Sequence, residues 1–108
     1  MPRRPVEALM ELVRTYARVR SGVVAILEAS GQDRFKIHVR SLYKVSGRVE
    51  TGYSMVDDIL KEVERNPEAL RELEALGVRI VREGRDTYVE VPARLLIDAA
   101  REVSERKV

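Results

Sequence analysis

Residues 34–40 read RFKIHVR, a strict alternation of basic and apolar side chains, and this stretch decides the fold of the 108-residue chain. Successive side chains of a β-strand point to opposite faces, so the alternation predicts a strand with one apolar and one cationic face. The cationic face consists of Arg34, Lys36, His38 and Arg40. The strand contains no acid, so these side chains either meet acidic residues of a neighbouring strand or bind an anion.

The sequence before this strand predicts a β-hairpin. Residues 23–29, VVAILEA, form a β-branched and apolar run, and residues 30–33, SGQD, are typical of a turn. Two registers are open, because the turn pairs Arg34 either with Ala29 or, after a slip of one residue, with Glu28. The second strand covers residues 34–40 and can extend as far as Val45.

Apolar residues at helical spacing predict four amphipathic helices. Residues 5–20 form the first helix, and Ser54 caps the second, which ends near Arg65. Asn66 caps the third helix, and Pro67 occupies its first position. Glu68 lies in the first turn of this third helix, which runs to Leu76, and Gly77 suits its C-terminal cap.

A second hairpin is predicted near the end of the chain. Residues 78–82 and 87–91 are rich in β-branched residues and flank the turn EGRD at 83–86. In the register that this turn sets, Arg79 lies opposite Glu90, a favourable cross-strand pair.

The element order is therefore α-β-β-α-α-β-β-α in one domain spanning residues 1–108. This order predicts an α+β fold, with a four-stranded antiparallel sheet of two hairpins flanked by about four helices.

Composition excludes several classes of chemistry. The chain has no cysteine and one histidine, which rules out disulfides, thiolate catalysis and Cys-ligated zinc. Neither a Gly-rich phosphate loop nor a run of about 20 apolar residues is present. We expect a cytoplasmic protein with no signal peptide, cofactor, catalytic activity or membrane span. Charged residues make up 35% of the chain, and one Gln and one Asn occur, a bias typical of a thermophilic archaeon.

Charge and aromatic residues indicate a candidate nucleic-acid site. Residues 1–54 carry 10 Lys and Arg against 5 Asp and Glu, and the irregular segment 43–53 adds two tyrosines and two basic residues. Proteins that bind single-stranded nucleic acid combine a basic groove with aromatic rings on which bases stack. The candidate binding residues are Arg34, Lys36, His38, Arg40, Tyr43, Lys44, Arg48, Tyr53 and Tyr88. The alternative is a solvated strand face, charged to prevent edge-to-edge aggregation.

Other candidate residues have simpler explanations. His38 could act as a catalytic base, but its neighbours are basic and no nucleophile motif lies nearby, so we interpret it as a surface-strand histidine. Asp57 and Asp58 could bind a metal, but adjacent residues diverge on a helix, and acids in the first turn are favoured by the helix dipole.

The last helix, beginning at Pro92, carries a stripe that two readings explain. Leu96 and Val103 lie one heptad apart, with Ala99 and Ala100 between them. The stripe either packs on the sheet or forms the seam of a homo-oligomer, in which the small alanines would allow close approach.

The element order, together with residues 35–40, 77–81 and 88–92, resembles the ThermoDBP-like single-stranded DNA-binding proteins of archaea. The resemblance covers residues 5–106 and implies a four-stranded antiparallel sheet with four helices. It also implies binding of single strands with little base specificity, and oligomers built through the C-terminal helix. No binding residue is transferred from the family.

The sequence thus favours a non-enzymatic protein that binds single-stranded DNA or RNA as a dimer or tetramer. The alternative is a protein-interaction module or structural subunit of an oligomeric complex that binds no nucleic acid. Orientation discriminates between them: Arg34, Lys36 and Arg40 either line an open face with a tyrosine or are capped by glutamates of the acidic second half.

Overall fold

The computed structural model describes residues 4–106, and the side chains of residues 4–102. Within that range the chain forms six helices and three strands, which confirms the α+β class. The elements are α1 Pro5–Val19, α2 Ser21–Ser30, β1 Arg34–His38, α3 Val39–Ser46, α4 Val56–Arg65, α5 Pro67–Ala75, β2 Arg79–Glu83, β3 Asp86–Pro92 and α6 Ala93–Arg106.

The sheet is antiparallel with the strand order β1-β3-β2. β1 pairs with β3, which places Lys36 opposite Glu90 and His38 opposite Tyr88. The prediction of four strands in two hairpins flanked by four helices is therefore wrong. The partner of β1 lies about 50 residues further along the chain, and neither predicted register of the first hairpin occurs.

Residues 23–29 form most of helix α2 instead of a strand. A short apolar run is compatible with a buried strand or a helix, and periodicity alone does not separate the two. Val24 and Leu27, three residues apart, are buried in the core. Gly31 ends α2 with a left-handed φ of 72°, so the residues interpreted as a hairpin turn instead form a helix C-cap.

Residues 39–46 form helix α3, where the sequence predicted a continued strand and an irregular loop. The alternation ends at His38, whose side chain caps the helix by accepting a hydrogen bond from the backbone N–H of Arg40. Leu42 and Val45 are then buried on one helical face. Their spacing of three residues was the available signal, but histidine is an unusual N-cap.

Three local predictions are confirmed. Helix α1 covers almost all of residues 5–20, and the β2–β3 hairpin has the predicted register, with Arg79 opposite Glu90. Asn66 caps α5 by accepting hydrogen bonds from the next two free backbone N–H groups. The cap of α4 differs from the prediction, because Met55 and not Ser54 precedes the helix, and α6 begins one residue after Pro92.

Helix α1 lies at the centre of the core, in contact with α3, α4 and α6. Its Leu9 and Leu12 are fully buried, as are Ile37 of β1 and Val89 and Val91 of β3. The helices thus cover one face of the sheet and leave the other outward, which exposes the alternate residues of β1. Among the residues that the structure describes, no helix combines the length and apolar character that crossing a membrane requires.

Candidate functional site

Glu90 is the centre of a charge network on the outer sheet face. The residue is only 7% exposed, and its carboxylate accepts hydrogen bonds from Arg34 and Arg79, the latter at 3.0 Å. Arg34 also donates to the backbone carbonyl of Gly77 at 2.6 Å. The hydrogen bond from Arg34, supported by Arg79, holds the pKa of Glu90 below its ordinary value, although burial acts in the opposite direction. Glu90 therefore stays ionised and fixes both arginines in place.

The other basic residues of β1 also have acidic partners. Lys36 donates to Glu83, and this hydrogen bond raises the pKa of the lysine. The Nε2 atom of His38 lies 2.9 Å from Asp86 Oδ1. The ring of Tyr88 contacts both Lys36 and His38: it is edge-on to the His38 ring at 5.0 Å, and the Lys36 Nζ atom lies 6.0 Å from its centroid. Each of the three basic residues of β1 is therefore paired with a carboxylate of β2 or β3, whereas Arg40, the fourth member of the predicted cationic face, is not.

His38 has a structural role at the junction of β1 and α3. Its Nδ1 atom accepts the Arg40 backbone N–H at 3.0 Å, so that nitrogen carries no proton. The neutral ring then places its proton on Nε2, which faces Asp86. The imidazole thus joins a helix cap to the β3 strand, and not to a reactive group.

Two further predicted residues, Tyr43 and Tyr53, are half-buried. The Tyr43 hydroxyl donates to Asp57 Oδ2 at 2.7 Å and accepts the Asp57 backbone N–H at 3.2 Å, which ties α3 to the first turn of α4. Burial, followed by the bond to Asp57, raises the pKa of Tyr43. Burial also raises the pKa of Tyr53, which lines a cleft of about 320 Å³ formed with the loop before α4. Neither ring stands out as an open stacking platform.

Asp57 and Asp58 lie in the first turn of α4, as the helix-start interpretation predicted, and the contact of Asp57 with Tyr43 is an additional role. Within residues 4–102, no group of three or more histidines, aspartates or glutamates is arranged to hold a metal ion.

The remaining predicted basic residues form a separate surface. Arg40, Lys44 and Arg48 are exposed, and none of them makes an ion pair with another residue of the described part of the chain. Arg40 and Lys44 lie one turn apart on α3, and Arg48 follows directly after that helix. We call these three residues the α3 basic ridge. It lies beyond the end of β1, so four of the nine predicted site residues lie on the outer sheet face and three on this ridge, while Tyr43 and Tyr53 belong to neither surface.

Helix α2 has an exposed apolar surface that was not predicted from the sequence. Ile26 is 72% exposed, and Gly22, Ala25 and Ala29 are exposed beside it. We call these four residues the α2 apolar face. The opposite side of the helix carries the buried Val24 and Leu27, so α2 is apolar on both sides. The signal was present in residues 21–30, SGVVAILEAS, but only a helical reading reveals an uncovered side.

Two residues of the stripe on α6 pack within the chain itself. Leu96 and Ala99 are buried against other elements of the same molecule, and Ala100 is half-buried. The side chain of Val103 lies outside the described residues. Leu96 and Ala99 are therefore unavailable to a partner subunit.

Comparison of the chain with protein-family models, curated proteins and solved structures gave no match. The resemblance to archaeal single-stranded DNA-binding proteins therefore stays a prediction. Function has to be argued from the surfaces themselves.

Proposed function

We propose that this protein is a non-enzymatic structural subunit that self-associates through the α2 apolar face. The observation that carries the proposal is the exposure of Ile26 on a helix whose other side is also apolar. A helix that is hydrophobic all round is normally buried, and contiguous apolar patches mark interaction sites.

The rest of the surface makes this helix unusual. Charged residues form 35% of the whole chain, whereas the ten residues of α2 contain one, Glu28. Covering a side chain such as Ile26 contributes about 1.5–3 kcal/mol. Association would therefore remove from water the most exposed of the large apolar residues within residues 4–102.

The charged face of the sheet supports the same proposal, because its basic side chains are already engaged by acidic residues of the chain. Arg34 and Lys36 are engaged by Glu90 and Glu83, the arrangement that distinguishes the interaction module from a nucleic-acid surface on β1. An anion binding there would first have to displace carboxylates that already hold these side chains.

Sedimentation velocity over a range of protein concentrations tests the proposal. We expect the wild type to shift from monomer to dimer as concentration rises, and Ile26→Glu to remain monomeric. Leu70→Glu is the matched control, because Leu70 is a 42%-exposed apolar residue on α5, away from α2. A wild-type monomer at the highest soluble concentration would contradict the proposal.

A second candidate function is binding of single-stranded DNA or RNA, moved from the sheet to the α3 basic ridge. It is supported by the three exposed basic side chains that lack an acidic partner within residues 4–102. Because the three tyrosines are half-buried, the electrostatic contribution would dominate, and binding would weaken steeply with salt.

Fluorescence anisotropy with labelled single strands of DNA and RNA, at low and moderate salt, tests this second function. Arg40→Glu should weaken binding, while Lys61→Glu, an exposed change on α4, should not. Each lost phosphate contact should lower the salt slope by about 0.7. Equal effects of the two substitutions would exclude the ridge as the binding surface.

A further inference from the structure

We infer that a second copy of this chain covers the α2 apolar face, with the two α2 helices antiparallel about a twofold axis. In this arrangement Ile26 of each copy lies over Gly22 of the other, and Arg20 of each lies at the same end as Glu28 of the other. The inference rests on the proposed self-association and specifies its geometry.

Gly22 is the first argument for a close helix–helix contact. Its backbone is helical and its φ is not positive, and no atom lies within 4 Å of where a Cβ would stand. Nothing within the described chain therefore requires glycine, although glycine weakens a helix relative to alanine. A facing helix does require it, because the missing side chain leaves room for the Ile26 of a partner.

The charges at the two ends of α2 select the orientation. Acidic side chains are stabilising near the N-terminus of a helix, and basic side chains are stabilising near its C-terminus. α2 has neither; instead Arg20 is its N-cap residue and Glu28 lies in its last turn. In an antiparallel pair each of these charges meets an oppositely charged residue and the favourable end of the facing helix. A parallel pair would bring like charges together.

Both charged groups have capacity for a partner. Arg20 is exposed and makes no ion pair with another residue of the described range. Glu28 accepts a hydrogen bond from Arg101 of α6 through Oε1, which leaves its second oxygen for a further donor.

The size of the surface sets the strength and the stoichiometry. A ten-residue helix is about 15 Å long, so the contact is small for a stable interface. We therefore expect a dimer that forms reversibly with concentration. An isologous contact between identical faces closes with two copies, so no larger assembly follows from it.

Charge reversal at the two ends tests the arrangement at low salt, where surface charges are least screened. Arg20→Glu alone and Glu28→Arg alone each place like charges together twice in a dimer, and each should raise the dimer dissociation constant about tenfold. An equimolar mixture of the two variants restores both opposite-charge pairs. We expect that mixture to dimerise about as well as the wild type, and the double variant to do the same.

Arg101→Gln is the matched control, because it removes the same pair with Glu28 inside the chain that Glu28→Arg removes. It should leave dimerisation unchanged, and thermal melts by circular dichroism should show all variants folded. If the wild type dimerises and Ile26→Glu does not, but mixing the charge variants fails to restore the dimer, the antiparallel arrangement is wrong and the proposed function stands. If the wild type is monomeric, both are wrong.

Discussion

The outer sheet face and helix α2 differ in whether their chemistry is completed inside the chain. The sheet face carries the basic residues of β1, and Glu83, Asp86 and Glu90 each pair with one of them. Helix α2 carries a single charged residue, Glu28, yet its Gly22, Ala25, Ile26 and Ala29 are left exposed. A side-chain pattern therefore indicates which contacts a surface can make, but not whether the fold already makes them.

We expect the largest difference in the free energy of unfolding between substitutions on the buried and the exposed side of α2. Leu27→Ala empties a buried position and should lower the free energy of unfolding by about 3 kcal/mol. Ile26→Ala, one residue away on the exposed side, should change it by less than about 0.5 kcal/mol. Urea denaturation at concentrations where the protein is monomeric measures both. Equal losses would mean that the exposed side is packed within the monomer.

The next largest effect concerns the carboxylates of the sheet face, which should differ in how much they contribute to the free energy of unfolding. Glu90 is buried between two guanidinium groups, and hydrogen bonds to charged groups contribute about 1.5–3 kcal/mol, so Glu90→Gln should cost about 2 kcal/mol. Glu83 is half-exposed, and Glu83→Gln should cost less than about 1 kcal/mol. Chemical denaturation at neutral pH compares them. A smaller loss for Glu90 than for Glu83 would contradict the central role of Glu90.

The same network predicts a pH dependence. Because Arg34 and Arg79 lower the pKa of Glu90 in the folded state, its contribution is present above the unfolded value of about 4.5 and is lost as pH falls through the lower folded value. Wild-type stability should therefore fall more steeply in acid than that of Glu90→Gln. Urea midpoints from neutral to strongly acidic pH measure the difference, and parallel curves would show that Glu90 is not the responsible group.

The smallest effect should have opposite signs in the monomer and the dimer. Gly22→Ala meets no atom within 4 Å and should stabilise the monomer by about 0.5–1 kcal/mol through better helix propensity. The same methyl group would occupy the space reserved for Ile26 of a second copy and should weaken dimerisation. Thermal melts at low concentration measure the change in monomer stability, and sedimentation at high concentration measures the change in dimerisation. A Gly22→Ala dimer as strong as the wild type would place the contact elsewhere on α2.

Local chemistry made about half of the fold predictable. The Asn66 cap and the β2–β3 hairpin each depend on residues close in sequence, and both are confirmed. The partner of β1 was not predictable in this way, because residues 23–29 are apolar enough for either a strand or a helix, and the fold decides between them. That one error added a fourth strand and concealed α2.

The candidate site was predictable to a similar degree. The alternation in β1 correctly placed Arg34, Lys36 and His38 on one outward face. The neutralising acids could not be assigned to that face, because they become neighbours of β1 only through pairing with β3. Burial of the tyrosines depends likewise on how α3 packs, and α3 itself was not predicted.

The strand order β1-β3-β2 also has a consequence for the folding pathway. β2 and β3 are joined by a tight turn and can pair early, whereas α3, α4, α5 and β2 separate β1 from β3, so pairing of β1 has to close a long loop. Until then the long edge of β3 stays open to any other extended chain. We expect the docking of β1 to be the slow step, and misfolding during synthesis to begin at that unprotected edge.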